Sequence, residues 1–200
     1  MQSGFPSKHG VVMKRIHPVT LWFTGLSGAG KSTLALAVRE RLLEAGNVCF
    51  VLDGDVVRSG LNRDLGYSPA DRKENIRRIA EVSRLFNEAG VVTIAALISP
   101  YREDREMARA IIGADRFVET HLAADLETCE RRDPKGLYAR ARKGLIPEFT
   151  GISAPYEPPL NPELAIPTGT EEKEICVHQI IEYVSIKYRT PSTDNWRLKA

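Results

Sequence analysis

Apolar and polar positions follow two rhythms along this chain. Nearly unbroken apolar runs recur at Val19–Gly25 (VTLWFTG), Val48–Leu52 (VCFVL), Val91–Ser99 (VVTIAALIS), Arg116–Leu122 (RFVETHL) and Glu163–Pro167 (ELAIP). Continuous apolarity of this kind predicts strands covered on both faces. Between them the period lengthens to that of a helix. Lys31–Gly46 predicts a helix closed by Gly46. Ser68-Pro69 predicts a helix start, with serine as cap and proline at the first position. That helix puts Ile76, Ile79, Ala80 and Phe86 on one side and ends at Gly90. A charged helix follows Pro100, a short one spans Asp125–Arg131, and a last one spans Glu171–Lys187 with Thr170 as its cap. Strands alternating with helices predict an α/β fold, a parallel sheet of about five strands with helices on both faces. Residues 133–162, rich in Arg, Lys, Gly and Pro, break the rhythm and predict a long functional loop or lid.

Composition narrows this picture without redirecting it. With 200 residues, 42% hydrophobic and 27% charged, the chain suits one compact domain. We divide it into an N-terminal extension (1–18), a main domain (19–189) and a polar tail (190–200). The net charge of +2 is bland, and neither a nucleic-acid nor a membrane partner is expected. No run of roughly 18 apolar residues predicts a membrane span. The N-terminus lacks the apolar stretch of a signal peptide. Cys49, Cys129 and Cys176 form no metal-ligand pattern and fit buried free thiols in a reducing, cytoplasmic setting.

Candidate chemistry starts at GLSGAGKS, residues Gly25, Leu26, Ser27, Gly28, Ala29, Gly30, Lys31 and Ser32. It matches G-x-x-x-x-G-K-[ST], with a predicted strand before it and a helix after it. Glycines let the backbone turn its N–H groups toward phosphate oxygens, and the helix adds its positive end. Lys31 can reach the β- and γ-phosphates of ATP, and the Ser32 hydroxyl can ligate Mg²⁺. This is the signature of the P-loop NTPase fold.

Ligands of open parallel sheets sit beyond the carboxyl ends of the strands. Asp53 and Asp55 follow the second strand and so reach the same edge. If the extended conformation continues, both point the same way: one toward metal, the other able to accept a hydroxyl proton. A turn or cap role for Asp53 is the competing reading. Asp64 and Asp71 fit ordinary loop and first-turn positions. Arg72 and Asn75 share a helix face, whereas Arg77 lies roughly 140° around from Arg72. Spacing therefore does not bring all three to one ligand. Ser99 supplies a hydroxyl at the end of the third strand. Two carboxylates and several arginines opposite a phosphate loop suit phosphoryl transfer to an anionic acceptor.

Five segments in order then resemble the adenylylsulfate kinase family: LDGDVVRSGLNRDLGYS, DRKENIRR, ALISPYREDR, CERRDPKGLYARAR and FTGISAPYEPP. The resemblance runs from about Thr20 to Thr168. It implies ATP-dependent phosphorylation of the 3′-hydroxyl of adenylyl sulfate, giving 3′-phosphoadenylyl sulfate and ADP. It also implies that Tyr67 and Phe149 enclose the acceptor's adenine. Arg58, Arg72, Asn75 and Arg77 would hold its phosphosulfate, with Ile98 and Ser99 also on the acceptor side. Ser99 falls where the family is described as having a phosphoserine. Lid residues Arg132 and Lys135 would close over ATP, Lys135 also reaching the acceptor. A homodimer is implied, with non-covalent association to ATP sulfurylase a further expectation. The chain departs from the family's usual Asn at Val56, His at Ser59, Phe at Tyr67 and Asp at Ser153. Two alternatives are a sugar or nucleoside kinase of similar fold and a nucleotide-binding regulator without turnover.

Overall fold

The computed structural model describes residues 15–190; residues 1–14 of the expected extension and 191–200 of the expected tail lie outside them. Five parallel strands form one sheet in the order β2-β3-β1-β4-β5. They are β1 (Thr20–Thr24), β2 (Cys49–Asp53), β3 (Val92–Ala96), β4 (Phe117–Leu122) and β5 (Leu164–Ile166). All five residues of β1 and of β3 are buried. Their alternation feeds two cores. Leu21, Phe23, Ile94 and Val118 join the larger core with helix α1 (Lys31–Glu44) and the C-terminal helix, whereas Trp22, Ala95 and Phe117 join the other.

The second core is closed by α3 (Pro69–Glu88) and α4 (Arg102–Ile112), through Ile76, Ile79, Ala80, Ala108 and Ile112. Ser68 caps α3 as its residue type predicts, its Oγ accepting from Asp71 N at 3.2 Å. The remaining helices are α2 (Gly54–Ser59), α5 (Leu126–Arg132), α6 (Leu137–Arg142) and α7 (Lys173–Lys187).

Four local expectations differ from the structure. Helix α2 starts directly at the end of β2, where an extended chain was one expectation. The lid region contains α6 rather than loop alone. The last helix starts two residues late, at Lys173, with Glu172 rather than Thr170 at its cap position; Thr170 instead closes a turn, its amide donating to Pro167 O. Ile16, assigned to the extension, is buried in the larger core and bridges Arg189. An apolar residue two positions before a proline carries no periodic signal, which is why the boundary read late.

Beneath the sheet edge lies an ionic cluster that periodicity does not reveal. Arg105 and Glu119 are both buried, and Arg105 Nε donates to Glu119 Oε1 at 2.6 Å. Arg105 also donates to Ser99 O (2.6 Å) and Glu157 O (2.8 Å). Arg109 clasps Glu163 through two bonds, and Glu163 in turn accepts from Glu119 N. One guanidinium thus ties α4, β4 and the chain after β3 together. Removing one partner of a buried pair leaves an uncompensated charge. Arg105→Ala is expected to lower unfolding free energy by about 3–5 kcal/mol, read from urea denaturation. Lys73→Ala, which breaks the exposed pair with Glu103, is expected to change it by less than about 1 kcal/mol.

Candidate active site

The cleft at the carboxyl edge of the sheet has a volume of about 990 Å³. Its floor is the turn from β1 into α1. Two glycines of this turn have neighbours that a side chain would strike. A Cβ on Gly25 would lie 2.9 Å from Leu122 O, and one on Gly28 2.9 Å from Cys129 O. Gly28 also has φ 79°, a left-handed conformation that side chains disfavour. The loop is therefore wedged against the end of β4 and against α5. Tyr138 of α6 supports it from the lid side, donating to Ser27 O at 2.9 Å. Arg132 closes the same corner, donating to Thr168 O at 2.7 Å and to Gly28 O at 3.4 Å.

Lys31 turns its ammonium into this loop, donating to Gly25 O (2.9 Å) and Leu26 O (2.7 Å). Burial of the charge lowers its pKa to about 8, against the opposing pull of Cys129, Asp53 and Asp55. Ser32 Oγ donates to Asp53 Oδ2 at 2.5 Å. The other oxygen of Asp53 caps α2, accepting from Asp55 N at 3.0 Å. Asp53 is thus a cap and a cleft residue at once. The two aspartates share the cleft through the start of a helix, not through the strand-like continuation that would have aligned them. Across the opening, the Asp55 carboxylate pairs with the Lys135 ammonium and joins α2 to the lid.

The opposite wall is aromatic and basic. Tyr67 is 65% exposed and lies beneath the Arg58 guanidinium, 4.5 Å from its ring centre. Arg58 also donates to Gly66 O at 2.7 Å. Phe149 is buried except where it lines the cleft, and packs edge-to-face on Tyr138 with centroids 5.0 Å apart. Arg72 spans the two aromatics. Its Nε donates to Tyr67 O (2.8 Å), its Nη2 to Glu148 O (2.7 Å) and its Nη1 to Thr150 Oγ1 (3.0 Å). Asn75, Ile98 and Ser99 complete this side.

Of the residues singled out from sequence, Arg77 is not brought to the cleft. It sits on the exposed face of α3, paired through two bonds with Glu74. This agrees with helix spacing and not with the family-implied role. Arg78 likewise binds Glu74 and, bidentately, Asp64. Gly25 and Leu26 face Lys31 with their carbonyls. Ser99 does line the cleft, but it is 3% exposed, and its Oγ accepts from Trp22 Nε1 at 3.2 Å. Its φ of 38° is unusual for a residue with a side chain, and Arg105 and Thr24 hold its carbonyl in place. Ser153, where the family's Asp is missing, has its Oγ accepting from Phe149 N at 2.9 Å. The hydroxyl supplies the acceptor that a carboxylate could have offered there. Tyr138 and Thr150 were missed from sequence. The lone aromatic of the short lid helix, between Leu137 and Ala139, was the available signal for the first; the second had none.

The family model for adenylylsulphate kinase matches residues 17–167. The chain belongs to that family. It is 57% identical over 170 residues to a probable adenylyl-sulfate kinase of Halalkalibacterium halodurans, covering 85% of this chain and 84% of that one. It is 54% identical over 183 residues to the adenylyl-sulfate kinase of Geotalea uraniireducens, covering 92% and 86%. Among solved structures it resembles the Mycobacterium tuberculosis APS kinase in complex with AMPPNP and APS. The TM-score is 0.80 at 46% identity, covering 84% of this chain and 98% of the other. This adenylylsulphate kinase family member has the P-loop NTPase fold, a five-stranded parallel sheet with its phosphate loop between β1 and α1. No described helix is long and apolar enough to cross a membrane.

The Lys31 environment has a measurable consequence in the unliganded protein. Its folded pKa of about 8 lies below its ordinary 10.5. Between these values the unfolded chain holds the proton and the folded one does not, so this group makes stability rise with pH. Below about pH 8 the burial penalty is fully present. Lys31→Met is therefore expected to stabilise more at pH 7 than at pH 10. Urea unfolding of both proteins at the two pH values reads the difference; an equal gap at both would contradict the assigned burial.

Proposed function

We propose that this protein transfers the γ-phosphoryl group of ATP to the 3′-hydroxyl of adenylyl sulfate, giving 3′-phosphoadenylyl sulfate and ADP. The observation that carries the reading is a single cleft with unlike walls: a phosphate loop on one side, and Tyr67, Phe149, Arg58 and Arg72 on the other, with Asp55 between. A sugar acceptor has no use for a second base-sized aromatic wall. A regulator without turnover has no use for Asp55 at the junction.

ATP lies on the loop, its phosphates taking the backbone N–H groups and the ammonium that Lys31 now spends on carbonyls. Arg132 and Lys135 flank that side. Tyr67 and Phe149 offer π-faces to the acceptor's adenine. Arg58, the N–H groups of Arg72 left over from its backbone contacts, and Asn75 face the phosphosulfate. The acceptor oxygen attacks the γ-phosphorus as the bond to the β-bridging oxygen breaks; ADP departs, and the hydroxyl proton passes to the Asp55 carboxylate. Lys135 keeps a cation beside that point. Transfer is direct, since a relay through Ser99 would have to expel the Trp22 contact from a buried hydroxyl. Ser32 and Asp53, a hydroxyl and a carboxylate 2.5 Å apart, suit a hard cation that takes few protein ligands. They would hold Mg²⁺, which supplies charge neutralisation at the phosphates. The reading includes a homodimer working in the cytoplasm; any partnership with ATP sulfurylase would be non-covalent.

ADP release should depend on adenylyl sulfate and not on a panel of sugars and nucleosides; acceptor-independent or sugar-dependent release would replace this reading. Stacking on one aromatic is worth about 1–3 kcal/mol. Phe149→Ala is accordingly expected to weaken adenylyl sulfate by about 10- to 100-fold with ATP affinity nearly unchanged, both by calorimetry. Asp55→Asn keeps size and removes charge. It is expected to lower kcat by about 10²–10⁴-fold, with acceptor affinity largely kept; a change confined to acceptor KM would make Asp55 a binding group.

A further inference from the structure

Between α2 and α3 the chain makes a tight turn around Asn62, whose side chain is wholly buried. Its backbone serves the turn: Asn62 N donates to Val57 O, and Leu65 N donates to Asn62 O. Its side chain serves something else. Nδ2 donates to Asn75 Oδ1 at 2.9 Å, while Oδ1 has no hydrogen-bond partner among the described residues. A buried acceptor left unmet is unfavourable by itself. An amide is thus a poor choice for stabilising this turn, and its one side-chain bond goes to another amide.

That second amide is at the cleft. Asn75 is 6% exposed and lines the acceptor side. A carboxamide has an acceptor edge and a donor edge. Asn62 occupies the acceptor edge of Asn75, so the NH₂ edge is the one left for a ligand. Asn62 itself does not line the cleft.

We propose that Asn62 is a positioning residue for acceptor binding: by holding the Asn75 oxygen, it makes Asn75 present an N–H donor to an anionic oxygen of the acceptor. The proposal rests on the reading of this cleft as an adenylyl sulfate site. Without the tie, Asn75 is free to turn its own oxygen toward the anion, which repels it. With a carboxylate at position 62 the reversal is enforced. A carboxylate only accepts, so it draws the Asn75 NH₂ inward and leaves the oxygen facing the cleft.

The test is a double-mutant cycle on steady-state kinetics, with thermal unfolding as the check on folding. Asn62→Ala is expected to raise KM for adenylyl sulfate by about 10-fold, and Asn62→Asp by more. KM for ATP, and kcat at saturating acceptor, are expected to stay within about twofold. In an Asn75→Ala background, Asn62→Ala is expected to add less than about twofold to acceptor KM, because its effect runs through Asn75. Fully additive effects, an unchanged acceptor KM in folded Asn62→Ala, or an equal rise in KM for ATP would overturn the proposal. If Asn62→Ala does not fold, Asn62→Leu, apolar and of similar size, takes its place in the cycle. An unmutated protein that releases no ADP with adenylyl sulfate overturns the proposed function and this proposal together. Normal turnover with an unmoved KM in the variants overturns this proposal alone.

Discussion

Three loops meet at the cleft because three parallel strands end in register. Phe23 of β1 lies beside Ala96 of β3, which lies beside Asp53 of β2. Each strand then hands its chain to the same edge: β1 to the phosphate loop, β3 to the turn at Ser99, β2 to the start of α2. Parallel pairing makes this unavoidable, since every strand points its carboxyl end the same way. The strand order adds a further condition. β1 connects toward the β2 edge, whereas its neighbour β4 connects toward β5 on the other edge, so adjacent strands send their chains in opposite directions, which is the condition for a crevice at the carboxyl edge.

The charge of residues 53–78 is sorted by that geometry into two populations. Asp64, Glu74, Arg77 and Arg78 pair with one another on the outside of α3. Asp53, Asp55, Arg58 and Arg72 face inward, and their partners are hydroxyls, backbone groups, an aromatic ring and the lid lysine. Outer pairs between exposed side chains contribute little to stability and are screened by salt. Among the described residues the inner groups have few counter-charges of their own, which is the condition for receiving charged ligands. Arg72, one of the inner groups, also has a structural task, since its bonds to Tyr67 O and Glu148 O fix the separation of the two aromatic walls.

Rigidity at the far side of the site comes from a buried guanidinium. Arg105 meets Glu119 and the carbonyls of Ser99 and Glu157. Ser99 is held in a left-handed conformation that its side chain disfavours. Such strain persists only when the surroundings over-determine it, and here Arg105, Thr24 and Trp22 do so. Preorganisation of this kind places groups before a ligand arrives, which is what catalysis by orientation requires.

The sheet, the phosphate loop and the α3 cap were legible in the sequence because each is a local matter. Apolar runs reflect burial on two faces, glycines reflect backbone approach, and Ser68-Pro69 satisfies its own helix end. The placing of Asp53 and Asp55 at the cleft was legible too, but not the means, since a helix beginning at Gly54 has no periodic signal in six residues. What the sequence could not decide is which partner each polar group takes. Asp64 with Arg78, Arg105 with Glu119, Arg72 with Glu148 O and Asn62 with Asn75 are bonds between segments brought together by the fold. Identical residue types on α3 serve opposite ends, Arg72 in the cleft and Arg77 outside it. Burial and direction, set by packing against β3 and α4, separate them, and neither is a property of the chain taken one residue at a time.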